Sequence, residues 1–149
     1  MYSLLVRLWR TFGGALQWRV LWLFHAKFIV GVSAIVLNDS GDVLLLRHRF
    51  WKPGSWGLPS GYAIRGEQLE ETVRRELKEE TNLDVEVARL LAIKTGFRLR
   101  LEATFLGHLT GGIMRLDKNE VLEAKFFPPH ELPVGLLVSH KDLVATHIL

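Results

Sequence analysis

Three carboxylates, Glu76, Glu79 and Glu80, stand three and four residues apart in a run that holds no Gly or Pro from Glu67 to Thr81. At that spacing they are neighbours on a helix surface. Leu69, Val73 and Leu77 recur at four-residue steps and define the core-facing stripe of that helix. The carboxylates border the stripe instead of lying opposite it, and like charges so crowded repel. A hard divalent cation removes the repulsion, and carboxylate oxygens are the ligands that Mg²⁺ and Mn²⁺ prefer. The plain alternative is a solvated acidic helix, with Glu70, Glu71, Arg74 and Lys78 forming ordinary surface pairs.

The helix needs a loop before it and a stop after it. Gly61 and Gly66 suit a tight loop where side chains would obstruct, and Asn82 suits the left-handed position that ends many helices. Residues 61–83, GYAIRGEQLEETVRRELKEETNL, carry Gly61, then Glu67 after five residues, then Arg75-Glu76-Leu77 after seven, then Glu79, Glu80 and Leu83. This pattern resembles the signature of the Nudix hydrolases and departs from it once, with Asn82 where that family has Gly. The preceding WGLPSGY also resembles the family's lead-in.

The resemblance covers roughly Phe28 to the end of the chain. It implies an α/β/α sandwich on a mixed sheet, and metal-dependent cleavage of a nucleoside diphosphate linked to another group. It further implies that Glu76, Glu79 and Glu80 are ligands of Mg²⁺ or Mn²⁺, joined by the backbone carbonyl of Ser60. Glu67 would steady the loop or a water at the metal, and Arg75 would orient the ligand carboxylates. A salt bridge from Arg75 to Glu71 is the alternative that helix spacing offers. The general base is open between a motif carboxylate and a later Glu. Of Glu120 and Glu123, Glu120 is favoured because it sits at a loop-to-strand boundary.

Composition bounds the rest. The 149 residues are 48% hydrophobic, enough for one compact core, and the absence of Cys excludes disulfides, thiolate zinc sites and a Cys nucleophile. That absence also discounts an isomerase of the isopentenyl diphosphate type, which the family resemblance would otherwise admit. A cysteine-free chain sits easily in a reducing cytoplasm. The formal charge of +3 divides into an acidic central helix and a basic chain before it, a pattern suited to a polyanionic small molecule. No basic cluster is dense enough for nucleic acid.

Residues 1–26 form an N-terminal helical extension and 27–149 the catalytic domain. Ser3, Arg7, Arg10, Gly14 and Gln17 make a polar stripe, and Leu5, Leu8, Trp9, Phe12, Leu16 and Leu23 a broad apolar face. Gly13-Gly14 predicts a kink or split. The favoured reading packs this amphipathic helix on the domain, or on a second subunit in a homodimer; contact with a membrane surface is the alternative. A membrane span over residues 20–37 is rejected because His25 and Lys27 interrupt it.

Strands are expected at Phe28–Leu37, Val43–Phe50, Val85–Lys94, Phe97–Leu109 and Glu120–Phe127. NDSGD links the first two as a hairpin, Thr110-Gly111-Gly112 forms a turn, HELP opens a short helix, and a last helix runs from about Val134. This mixed order gives an α+β fold. Arg47 and Arg49, Trp51, and Phe97 with Arg98 are candidate contacts to phosphate or base, with surface or packing roles as the alternatives. The residues after the motif carry no mark of a particular substrate. Nucleoside triphosphates, ADP-ribose and sugar nucleotides all remain, as does a nucleotide-binding regulator without catalysis.

Overall fold

The computed structural model describes residues 2–95 and 99–149, excluding the side chains of residues 2, 3, 5 and 8. Two helices, α1 (Tyr2–Thr11) and α2 (Gly14–Phe24), precede the sheet and are separated at Gly13 as the glycine pair predicts. The sheet contains β1 (Ile29–Leu37), β2 (Val43–His48), β3 (Ser60–Tyr62), β4 (Leu83–Thr95), β5 (Arg100–Gly112) and β6 (Val121–Phe127). Between them lie α3 (Leu69–Thr81) and, at the end, α4 (Val138–His147).

Strand order is β4-β5-β1-β2-β6, with β3 added to β1. β1 runs parallel to β5 over its whole length, and the other pairs are antiparallel, so the sheet is mixed. Alternation along β1 feeds two cores. Val32, Ala34 and Val36 face Val73 and Leu77 of α3, while Ile35 faces Leu143 and Val144 of α4. Helix, sheet and helix are therefore stacked, and the fold is the expected α+β sandwich.

The expected β1–β2 hairpin opens at once. Only Leu37 and Val43 pair, because the lead-in segment wedges between the strands: Gly57 exchanges hydrogen bonds with Leu46, and Ala34 donates to the Pro59 carbonyl at 3.0 Å. That wedge carries Ser60 and Gly61 to the site.

Two other expectations are corrected. Thr110-Gly111-Gly112 continues β5, since Asn82 turns the chain so that Asp84 and Leu83 pair with Gly111 and Gly112. Gly112 is needed there for close approach; a Cβ would lie 2.5 Å from the Asn82 carbonyl oxygen. HELP forms no helix, and the last helix starts only at Val138, because Pro133 and Gly135 (φ +93°) interrupt the segment before it.

The N-terminal helices do not join the domain's core, the first of the two packings expected of them. α2 has no buried residue, and among the described residues neither helix contributes to either core. Among the described residues no helix is long and apolar enough to cross a membrane.

Candidate active site

The motif helix is fixed at both ends. At its start Gln68 and Glu71 cap each other reciprocally, with the Gln68 N–H donating to Glu71 Oε2 at 3.0 Å. At its end Asn82 adopts φ 60°, its backbone N–H donates to Lys78 O, and its side-chain amide donates to Ile113 O at 2.9 Å. Asn tolerates this left-handed position, so the single departure from the signature leaves the helix stop intact. Burial of Val73 and Leu77 then sets the helix rotation, and with it the direction of each carboxylate.

Glu80 is the most enclosed of the three. It is 3% exposed, and its Oε2 has no hydrogen-bond partner among the described residues. Burial first, then the charges of Glu76, Glu120 and Glu79, pushes its pKa up to about 8. Glu76 lies beside it, its Oε1 accepting the Tyr62 N–H at 3.2 Å. Gly61 makes room for that side chain, since a Cβ there would fall 2.0 Å from Glu76 Cδ. Glu79 is paired with Arg75 with its side chain 60% exposed, and it lines neither cavity described below.

Arg75 ties the helix to its preceding loop. Its guanidinium donates to Glu67 Oε1 at 2.8 Å and Oε2 at 3.1 Å, to Glu76 Oε1 at 2.9 Å, to Glu79 Oε2 at 3.2 Å and to the Tyr62 carbonyl at 3.0 Å. Glu71 is engaged in the helix cap, so the Arg75–Glu71 alternative does not form. Glu67 also accepts from the Thr72 hydroxyl at 2.7 Å and the Ile64 N–H at 3.4 Å. Arg75 first, then Thr72, lowers its pKa to about 2. It remains a carboxylate and holds the loop.

A cavity of about 450 Å³ opens over Glu76 and Glu80, lined also by His48, Trp51, Ser60, Gly61, Arg100 and Glu120. His48 Nε2 lies 3.4 Å from Glu80 Oε1 and 3.7 Å from Glu120 Oε2. Ligand atoms of His48, Glu80 and Glu120 fall within 4.8 Å of one another, a spacing one ion can bridge. The unpartnered oxygen of a buried carboxylate, with two more carboxylates beside it, fits a hard divalent cation.

A second cavity, of about 510 Å³, adjoins the first through Trp51, Ser60 and Arg100 and reaches Glu102, Thr104 and His140. His140 Nδ1 accepts the Leu58 N–H at 2.9 Å, and burial, then Arg100, pushes its pKa down to about 4. The ring is therefore neutral with its proton on Nε2. Gly57 lets Trp51 and His140 come this close to the wedge; a Cβ would lie 2.6 Å from the Trp51 ring and 3.0 Å from His140 Nδ1.

Several expected contacts lie elsewhere. Arg47 pairs with Glu123 at 3.0 Å across β2 and β6, and Lys125 also binds Glu123. Arg49 donates to Lys118 O at 2.9 Å. None of these side chains lines either cavity. Phe97 and Arg98 lie outside the described residues. Of the two late carboxylates, Glu120 is at the cavity and Glu123 is not. His48, Arg100 and His140 belong to the cavity walls without having been assigned there from sequence. For His48 a signal existed: strand alternation places it opposite Arg47 and Arg49, and that opposite face is the one turned to the site.

The family model described as NUDIX domain matches residues 27–146. The chain belongs to the Nudix family. It is 35% identical to the Homo sapiens 8-oxo-dGDP phosphatase NUDT18 over 109 residues, 70% of this chain and 34% of that one. It is 31% identical to the NAD-capped RNA hydrolase NudC of Vibrio atlanticus over 112 residues, 74% of this chain and 41% of that one. It thus spans between a third and about two fifths of these two curated relatives. A crystal structure of a MutT NUDIX hydrolase from Burkholderia pseudomallei superposes with a TM-score of 0.70 at 25% identity, covering 81% of this chain and 98% of that one.

Proposed function

We propose that this Nudix domain hydrolyses a pyrophosphate bond in a nucleoside diphosphate derivative with the help of Mg²⁺ or Mn²⁺. The observation that carries the reading is Glu80, buried with an unpartnered oxygen and crowded by Glu76 and Glu120 at the floor of the first cavity. Glu76, Glu79 and Glu80, with the Ser60 carbonyl, are the residues to hold the metal. When bound, such an ion withdraws charge from the phosphoryl oxygens and lowers the pKa of water. Arg75 and Glu67 keep the carboxylates and the Gly61 loop in place. Glu120, half exposed at the cavity mouth, is placed to take a proton from the attacking water. Arg100 offsets phosphate charge, and the second cavity takes the nucleoside against Trp51, with the His140 Nε2–H as a donor to the base or sugar.

The named relatives supply the substrate class. An 8-oxo-dGDP phosphatase and a NAD-cap hydrolase share a nucleoside diphosphate unit in what they act on, and two adjoining cavities would suit the two parts of such a unit. The test is a metal titration against 8-oxo-dGDP, 8-oxo-dGTP, ADP-ribose, a sugar nucleotide and NAD, with products resolved by chromatography. Metal-dependent release of a nucleoside monophosphate or phosphate supports the reading. Nucleotide binding without any product would replace it with a regulator on the same fold.

A further inference from the structure

Between Gly14 and Phe24 only Gln17 and Arg19 are polar, so α2 is apolar nearly all the way round. A helix of that kind in water is ordinarily buried. Here Trp18, Trp22, Leu23 and Phe24 are 70%, 61%, 66% and 83% exposed, and the exposed surface continues into Phe28 and Ile29. α1 is tied to it, since the Gln17 side chain donates to the Trp9 carbonyl at 2.7 Å. Large apolar side chains left exposed together on one short helix mark an interaction site.

Charge selects the partner. Residues 1–38 contain Arg7, Arg10, Arg19 and Lys27 and no acidic residue; the first is Asp39. Among the described residues none of these four cations forms an ion pair. Lys27 lies 4.5 Å over the Trp22 ring, so cation and indole are presented together. Trp beside Arg and Lys is the composition of segments that lie at the headgroup level of a bilayer. Eleven residues rise about 16 Å, too little to cross a hydrocarbon core of about 30 Å, so the helix would rest in the plane of the surface. A second copy of the chain meeting the same face would set these cations against their own kind with no carboxylate of this segment to answer them.

We propose that α1 and α2 dock the domain on a membrane surface carrying anionic lipid headgroups, with the α2 tryptophans at the acyl boundary and the arginines among the headgroups. None of these residues lines either cavity, so docking and hydrolysis are separable. The test mixes the full chain with extruded vesicles of phosphatidylcholine alone, or with one quarter phosphatidylserine, and measures cosedimentation and tryptophan emission. The chain is expected to pellet with the serine-lipid vesicles, with a blue-shifted emission that 0.5 M NaCl weakens. Each basic side chain near an anionic surface contributes about fivefold in binding. Arg7→Gln/Arg10→Gln/Arg19→Gln should therefore lose on the order of a hundredfold, and Trp18→Ser/Trp22→Ser at least tenfold, with nucleotide hydrolysis in solution unchanged in both. A chain that stays in the supernatant with both vesicle types overturns the proposal. So does a concentration-dependent dimer in light scattering that Trp18→Ser/Trp22→Ser abolishes while no vesicle binding is seen, which gives the face to a second copy.

Discussion

α3 and α2 are helices of similar length and opposite character. α3 is mostly charged, yet its apolar stripe is closed over by β1, β4 and β5, and Thr72, Val73, Leu77, Glu80 and Thr81 are buried. α2 is mostly apolar and buries nothing. Burial thus follows from having a complementary surface to meet, not from side-chain hydrophobicity. Three apolar residues at the right spacing fix α3 against the sheet, and that rotation drives one carboxylate, Glu80, into the interior at an electrostatic cost.

The contrast predicts where substitutions act. The largest effect belongs to Glu80→Gln, which should lower metal-dependent turnover by about 10³-fold, the loss of several kcal/mol of charge stabilisation. The same change should stabilise the metal-free fold at high pH. Folded Glu80 keeps its proton up to about pH 8, whereas the unfolded chain releases it near 4.5. Holding Glu80 protonated where the unfolded chain would release the proton therefore costs stability progressively from pH 4.5 to 8 and nothing below. Urea unfolding in EDTA should show the variant about 3 kcal/mol more stable at pH 8 and equal to the parent at pH 4. Equal stability at both pH values would mean that the carboxylate is not enclosed as described.

Leu77→Ala, at the centre of the α3 stripe, should cost about 3 kcal/mol in urea unfolding. Gly61→Ala should leave the fold standing but push Glu76 out of line and reduce turnover by about 10²-fold, read from steady-state kinetics. At the small end, Trp18→Ser/Trp22→Ser in α2 should move unfolding stability by no more than about 0.5 kcal/mol. A loss comparable to Leu77→Ala would show that α2 packs in solution after all, and would erase the contrast between the helices.

Several features were legible in residue order alone. The stripe Leu69-Val73-Leu77, the helix stop at Asn82, the grouping of Glu76, Glu79 and Glu80, and the split at Gly13 are all local. Each depends on helical periodicity or on one residue's backbone freedom. The mixed α+β order and the membership of the Nudix family follow from the same local spacing.

Tertiary structure decided what spacing leaves degenerate. Alternation separates His48 from Arg47 and Arg49 but does not say which face of β2 meets the site; pairing with β6 sends Arg47 to Glu123 and leaves His48 beside Glu80 and Glu120. The three motif carboxylates are equivalent by sequence, and only packing makes Glu80 buried, Glu76 cradled by Gly61, and Glu79 exposed. His140, 82 residues from Leu58 along the chain, joins the second cavity because α4 folds back over the wedge. The physical reason is common to all three: a side chain's partners, burial and charge state come from segments distant in sequence, whereas a helix or turn is set by its own neighbours.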